Sequence, residues 1–160
     1  MKVSILQSEL YWEDRDKNLE MFSDKIRSLR NETNLIILPE MFTTGFSMHP
    51  ERLAENPDGK TFHWMKEQAA EAKALLIGSI IVKEDDKYYN RLISTYPDGT
   101  HYYYDKRHLF RMGEENKHYT AGTEKVIFQY MDWQIRPLIC YDLRFPVWSR
   151  NQDDYDLLIY

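Results

Sequence analysis

Ile135-Arg136-Pro137-Leu138-Ile139-Cys140-Tyr141-Asp142-Leu143-Arg144-Phe145-Pro146 is the stretch on which the reading of this chain turns. An apolar run of the kind that fills a buried strand breaks at a thiol, and Pro146 stands where a proline opens a helix. A thiol at a strand end that faces a helix N-terminus meets unpaired amide dipoles, which are expected to favour the thiolate. The thiolate is the form that attacks a carbonyl carbon, so Cys140 is a candidate nucleophile. The competing reading of a lone cysteine in an apolar strand is inert packing.

Two other segments end in the same way. Leu35-Ile36-Ile37-Leu38-Pro39 is a short apolar run that stops at Glu40, and His101-Tyr102-Tyr103-Tyr104-Asp105 is an aromatic run that stops at Lys106. If the three runs end at a common sheet edge, a carboxylate, an ammonium and a thiol converge there. That trio suits acyl transfer: the carboxylate moves protons, the cation stabilises the developing oxyanion, and the sulfur forms the covalent bond. Each residue also has a plain alternative. Glu40 could cap a loop, and Lys106 could belong to a solvated basic turn with Arg107 and His108.

At this point the residues resemble a known family. Leu38-Pro39-Glu40-Met41-Phe42, Tyr104-Asp105-Lys106-Arg107-His108-Leu109-Phe110 and Leu138-Ile139-Cys140-Tyr141-Asp142-Leu143-Arg144-Phe145-Pro146 are similar to the three signature segments of the nitrilase, or carbon–nitrogen hydrolase, superfamily, in its order. Tyr141 to Asn151 looks most like the ω-amidase branch. The resemblance implies an αββα sandwich and a Glu40, Lys106, Cys140 triad, with no cofactor. It also implies a second glutamate after the lysine motif. Glu115 is the better match by its spacing to Gly122, with Glu114 beside it. Family members continue well past the cysteine, whereas this sequence stops at Leu157-Leu158-Ile159-Tyr160, within what reads as a strand. The expectation is therefore a single α/β domain over residues 1–160, incomplete at its C-terminus. The function implied is hydrolysis of a small dicarboxylic acid monoamide of the α-ketoglutaramate or α-ketosuccinamate type. A nitrilase or N-carbamoyl amino-acid amidohydrolase, and a catalytically silent scaffold, are the alternatives. Self-association as a dimer or larger homo-oligomer is likewise implied by the resemblance.

Bulk properties bound the rest. With 160 residues, 42% hydrophobic and 29% charged, the chain suits one globular domain. A net charge of −5 gives no basic footprint for nucleic acid or an acidic membrane. One cysteine forms no internal disulfide, and the N-terminus lacks the apolar stretch of a secretory signal, so a cytoplasmic location is expected. None of the histidines lies at metal-ligand spacing from another ligand type, and no metal is expected.

Along the chain, Val3 to Gln7 reads as a first buried strand. Asp14 to Arg30 reads as a helix with Leu19, Phe22, Ile26 and Leu29 on its apolar stripe. Thr43 to Pro57 reads as an irregular loop, Gly59 to Lys73 as a helix, and Ala74 to Val82 as a strand. A hairpin turns at Pro97-Asp98-Gly99-Thr100, and Lys106 to Glu124 lacks periodicity. A second strand pair turns at Met131-Asp132. The expected architecture is half of the αββα sandwich, one layer of helices over one sheet, with the other sheet and its helices supplied partly by sequence beyond this chain. Asp142 is read as bracing the cysteine elbow and the Tyr141 N–H as an oxyanion donor. Phe42 is assigned to the substrate pocket, and Trp148 and His63 are weaker candidates for its lining.

Overall fold

The structure, a computed structural model, describes residues 1–160. In chain order the elements are β1 (Val3–Ile5), α1 (Arg15–Arg27), β2 (Leu35–Ile37), α2 (Pro50–Leu53), α3 (Lys60–Ala72), β3 (Leu75–Glu84), β4 (Lys87–Thr95) and β5 (His101–Asp105). After these come α4 (Glu115–His118), β6 (Phe128–Tyr130), β7 (Trp133–Pro137), α5 (Pro146–Ser149) and β8 (Leu157–Ile159). Short 3₁₀ turns at Arg111–Gly113 and Cys140–Arg144 complete the list.

Local chemistry sets the helix boundaries. The Asp14 carboxylate accepts from Lys17 N at 3.2 Å and caps α1, while Lys25 and Arg27 occupy its last turn, where the macrodipole favours cations. No side chain of Gly59 can cap α3. The buried Glu55 does so from a distance, accepting from Thr61 N at 2.9 Å and pairing with Arg15 at 3.0 Å. Lys73, at φ 54°, closes α3 in the left-handed region.

Five strands form a mixed sheet in the order β1-β2-β3-β4-β5, parallel through β3 and antiparallel beyond. A second sheet of three strands runs β6-β7-β8. On one face of the large sheet, Ile36, Leu76, Ile80 and Ile93 pack against Leu19, Phe22 and Ile26 of α1 and Met65 and Ala69 of α3. On the other face, Leu35, Leu75, Ile77 and Leu92 meet Phe128, Ile135 and Ile159 of the small sheet. Each fully buried large apolar side chain of this kind contributes about 1.5 to 3 kcal/mol. The layers are therefore helix, sheet, sheet. The far face of the small sheet is partly covered by the α5 segment, whose Trp148 carbonyl and Asp153 carboxylate receive the buried Arg136.

Several sequence expectations change. The second sheet of the sandwich is built from strands of this chain, because β6 pairs with β7 and β7 with β8. Strand β1 is an open edge: Ile5 is 73% exposed and Val3 41%, since the small sheet does not extend far enough to cover them. The segment 43–57 is ordered by burial of Thr43, Thr44 and Ser47 and contains α2. Residues 106–124 contain α4 and a 3₁₀ turn, too short for a helical period to register.

Candidate active site

Three strand ends and one residue from within a strand converge on one edge of the molecule. Glu40 follows β2, Asn90 lies in β4, Lys106 follows β5, and Cys140 follows β7. Glu115 joins them from the first position of α4. Two of these ends are kinked: Met41 adopts φ 46° and Cys140 φ 38°, left-handed conformations that cost a non-glycine residue about 1 kcal/mol or more.

Lys106 is fully buried, and its ammonium donates to Glu40 Oε1 at 2.8 Å and to Glu115 Oε1 and Oε2 at 3.1 and 2.9 Å. The Asn90 amide also reaches both acids, donating to Glu40 Oε1 at 2.8 Å and Glu115 Oε1 at 3.1 Å. Phe110 N donates to Glu115 Oε2 at 2.6 Å. Burial alone would lower the Lys106 pKa, but the adjacent charges of Glu40 and Glu115 outweigh it and hold the ammonium above its ordinary value. The Phe46 ring lies 5.2 Å from the same ammonium and walls it from water.

The two carboxylates differ in what they have left. Glu115 is fully buried, and both of its oxygens accept at least two hydrogen bonds. Glu40 has one oxygen doubly engaged and the other without a partner. A carboxylate with a free oxygen beside a thiol can exchange a proton; a saturated one holds the cation in place. Glu114 takes φ 61° and turns outward to pair with Lys117, so only Glu115 of the adjacent acids enters the cluster. Gly122 explains its own spacing: its N–H donates to Lys106 O at 2.9 Å, and a Cβ there would sit 2.2 Å from Asp105 O.

Cys140 is exposed, yet partial burial first and the Glu40 charge second push its pKa up to about 11, against the pull of Lys106. This reverses the expectation of a dipole-stabilised thiolate. The 3₁₀ turn at Cys140–Arg144 is too short to offset the desolvation and the facing carboxylate. The resting group is a thiol, and it needs a base.

A second polar cluster stands behind the sulfur. Asp142 Oδ2 accepts from Tyr104 Oη at 2.7 Å and from Ile139 N at 3.1 Å. Its Oδ1 accepts from His108 N at 2.9 Å and lies 2.7 Å from His108 Nδ1. The His108 ring stacks on Phe145 at 3.8 Å, and Trp148 Nε1 donates to Tyr104 Oη at 3.1 Å. This clasp ties the segment after β5 to the cysteine elbow, so Asp142 braces the elbow, and Trp148 and His108 belong to the brace. Tyr141 is the second residue of the 3₁₀ turn, where the first N–H groups lack acceptors within the turn, and its ring packs between Phe110 and Phe145.

Phe42 does not reach the site. It is fully buried on the helix side of the large sheet, 5.7 Å from both Phe22 and Trp64, and Gly78 makes room for its ring. The kink at Met41 turns the chain back into the core. His63 is exposed on α3 beside Phe62. Asn90 is the residue the sequence reading passed over. Its signal was the alternation in Tyr88-Tyr89-Asn90-Arg91-Leu92, which places an amide on the same face as a core leucine. An open trough of about 370 Å³ runs between the sheets, lined by Ile5, Ile37, Ile77 and Ile159, with Glu40 and Cys140 at its border.

A two-sheet α/β sandwich with a kinked thiol beside a buried carboxylate–ammonium–carboxylate cluster defines a narrow structural class. The chain belongs to the carbon–nitrogen hydrolase family, whose sequence profile matches residues 2–160. It is 45% identical to omega-amidase YafV of Yersinia enterocolitica, over 100% of this chain and 62% of that protein. It is 28% identical to the 2-oxoglutaramate amidase of Bacillus subtilis, over 93% of this chain and 59% of that protein. The crystal structure of XC1258 from Xanthomonas campestris, described as a CN-hydrolase superfamily protein with an arsenic adduct in its active site, superposes with a TM-score of 0.95. That match is at 38% identity and covers 99% of this chain and 64% of the other. The chain thus spans slightly under two thirds of the length of the relatives it matches.

Proposed function

We propose that the chain carries the catalytic centre of an ω-amidase, hydrolysing the terminal amide of a small dicarboxylic acid monoamide of the α-ketoglutaramate or α-ketosuccinamate type. One observation carries the chemistry: the Glu40 carboxylate acts on the only thiol, while one of its two oxygens, Oε1, is held by Lys106 and Asn90. The names of the relatives carry the substrate class.

In this reading Glu40 takes the Cys140 proton as the sulfur attacks the amide carbon. The C=O π electrons move to oxygen, and the oxyanion is held by the Lys106 ammonium and the Tyr141 amide. Collapse breaks the C–N bond, and Glu40 returns the proton to departing ammonia. Water, deprotonated by Glu40, then attacks the thioester and releases the acid and the thiol. Glu115 keeps Lys106 charged and oriented throughout. A nucleophilic thiol works only when reduced, which fits a cytoplasmic setting. Exposed apolar side chains such as Val147 and Met112 fit a chain that self-associates.

The test is a mass-spectrometric trap of the thioester on Cys140 during turnover of α-ketoglutaramate, with ammonia release measured in parallel. Wild type is expected to show the adduct. Cys140→Ala is expected to lose the adduct and activity by at least about a thousandfold. Full ammonia release by Cys140→Ala would overturn the reading.

A further inference from the structure

Asn90 holds a place in the cluster that neither packing nor strand pairing requires. It is fully buried in β4, and its backbone already serves the sheet and accepts from Lys106 N at 3.0 Å. Its side chain is a separate matter. Only the –NH₂ end can face two carboxylate oxygens, so the partners fix the amide's orientation. That orientation leaves Asn90 Oδ1 buried without any partner, an arrangement that costs free energy. The unmet carbonyl is tolerated because both N–H groups are committed to Glu40 and Glu115.

The atoms involved form a ring. Glu40 Oε1 and Glu115 Oε1 are each bonded to Lys106 Nζ on one side and Asn90 Nδ2 on the other. One ammonium faces two carboxylates here, so the cluster is short of positive charge, and the neutral amide supplies the remaining donors. A carboxylate held by a single ammonium can rotate and exchange its oxygens. One held by two donors from different strands cannot. We propose that Asn90 is a positioning residue for proton transfer: it pins Glu40 through Oε1 and so dedicates Oε2 to the Cys140 proton. This rests on the reading of Glu40 as the base for Cys140.

The groups that face Glu40 are few. Lys106 approaches from the end of β5, Glu115 from α4, and Cys140 from the elbow after β7. The buried Tyr119 hydroxyl is near enough to feel both acids but donates to Ser47 O at 2.6 Å, so it does not replace the amide. Removing the Asn90 donors therefore leaves Glu40 Oε1 with Lys106 alone, and the carboxylate is free to turn.

Because Cys140 is the only cysteine, its alkylation by iodoacetamide reads the proton transfer without reference to turnover. At a fixed pH below the thiol's own ionisation, Glu40→Gln is expected to slow alkylation about a hundredfold. Asn90→Leu, which removes both donors at similar volume, is expected to slow it about tenfold in the wild-type background and hardly at all when Glu40→Gln is already present. Asn90→Ser, smaller and with one hydroxyl donor, is expected to show the same dependence on Glu40 with a smaller loss, and it decides the matter if the leucine variant does not fold. An equal loss with and without Glu40→Gln in a folded variant would make Asn90 merely structural and overturn the proposal. A rate that Glu40→Gln leaves unchanged would instead remove Glu40 as the base, which is a different failure.

Discussion

Two polar clusters hang from the end of β5, one on each side of Lys106, and they are finished differently. The clasp of Asp142, Tyr104 and His108 is closed: both oxygens of Asp142 are occupied, and every partner is fixed by stacking or a further hydrogen bond. The cluster of Glu40, Lys106, Glu115 and Asn90 is open at one atom, the second oxygen of Glu40, and also leaves Asn90 Oδ1 unmet. A closed network rigidifies what it joins; a network with a free acceptor at a solvent-reaching edge can do chemistry. In the proposed reading the clasp holds the thiol in place and the open cluster moves its proton.

The comparison is tested hardest at Lys106. Lys106→Met removes the ammonium and leaves two carboxylates facing each other, one of them fully buried. Breaking a buried pair by deleting one partner costs about 3 to 5 kcal/mol. Urea unfolding of this variant is expected to show a loss in that range, together with loss of amide hydrolysis. A loss below about 1 kcal/mol would mean that water already reaches the cluster, and the contrast between a dry cluster and an exposed thiol would fail.

The clasp gives the next effect. Asp142→Ala strands the Tyr104 hydroxyl and the Ile139 and His108 amides, and is expected to cost about 2 to 3 kcal/mol. Its signature separates it from the open cluster. Stability falls, yet Glu40→Gln is expected to slow Cys140 alkylation by the same factor in Asp142→Ala as in wild type, because no donor to Glu40 has changed. Loss of that factor, as in an Asn90 variant, would merge the two clusters into one functional unit.

How much of this the sequence disclosed depends on how local the cause was. The apolar runs ending at Glu40, Lys106 and Cys140 are local patterns, and they led to strand ends that do meet. The stripe of Leu19, Phe22 and Ile26 is likewise buried as its helical spacing required. The failures share a non-local origin. Phe42 stands two residues after Glu40, but past the left-handed Met41 it lies in the helix-side core and not in the pocket. Glu114 and Glu115 are equivalent as text, and only the reversed backbone at Glu114 separates them. Of the influences on Cys140 only the dipole is visible in sequence, whereas burial and a carboxylate a hundred residues away raise its pKa. The strand pair turning at Met131-Asp132 and the apolar run at residues 157–159 are local patterns too, but their joining into one sheet is a long-range pairing of β7 with β8.

The smallest expected effect concerns that thiol and carries a definite sign. Folding raises the Cys140 pKa from its ordinary 9.0 to about 11, so between those values the unfolded chain releases a proton that the folded chain keeps. By linkage, the stability associated with the protonated thiol is fully present below about pH 9 and declines as pH rises through about 11. Lys106 and several buried tyrosines also have raised values, and their contributions fall in the same direction but begin above pH 10. The difference between wild type and Cys140→Ala isolates the thiol, and it is best read from pH 8 to 10. Wild type is expected to lose stability relative to Cys140→Ala across that window. Because Cys140 is exposed, solvent screening keeps the divergence below about 1 kcal/mol. Parallel curves would mean that the thiol titrates alike in both states, and the sulfur would then lie outside the influence of Glu40. A divergence of opposite sign would restore the dipole-stabilised thiolate and make a base unnecessary.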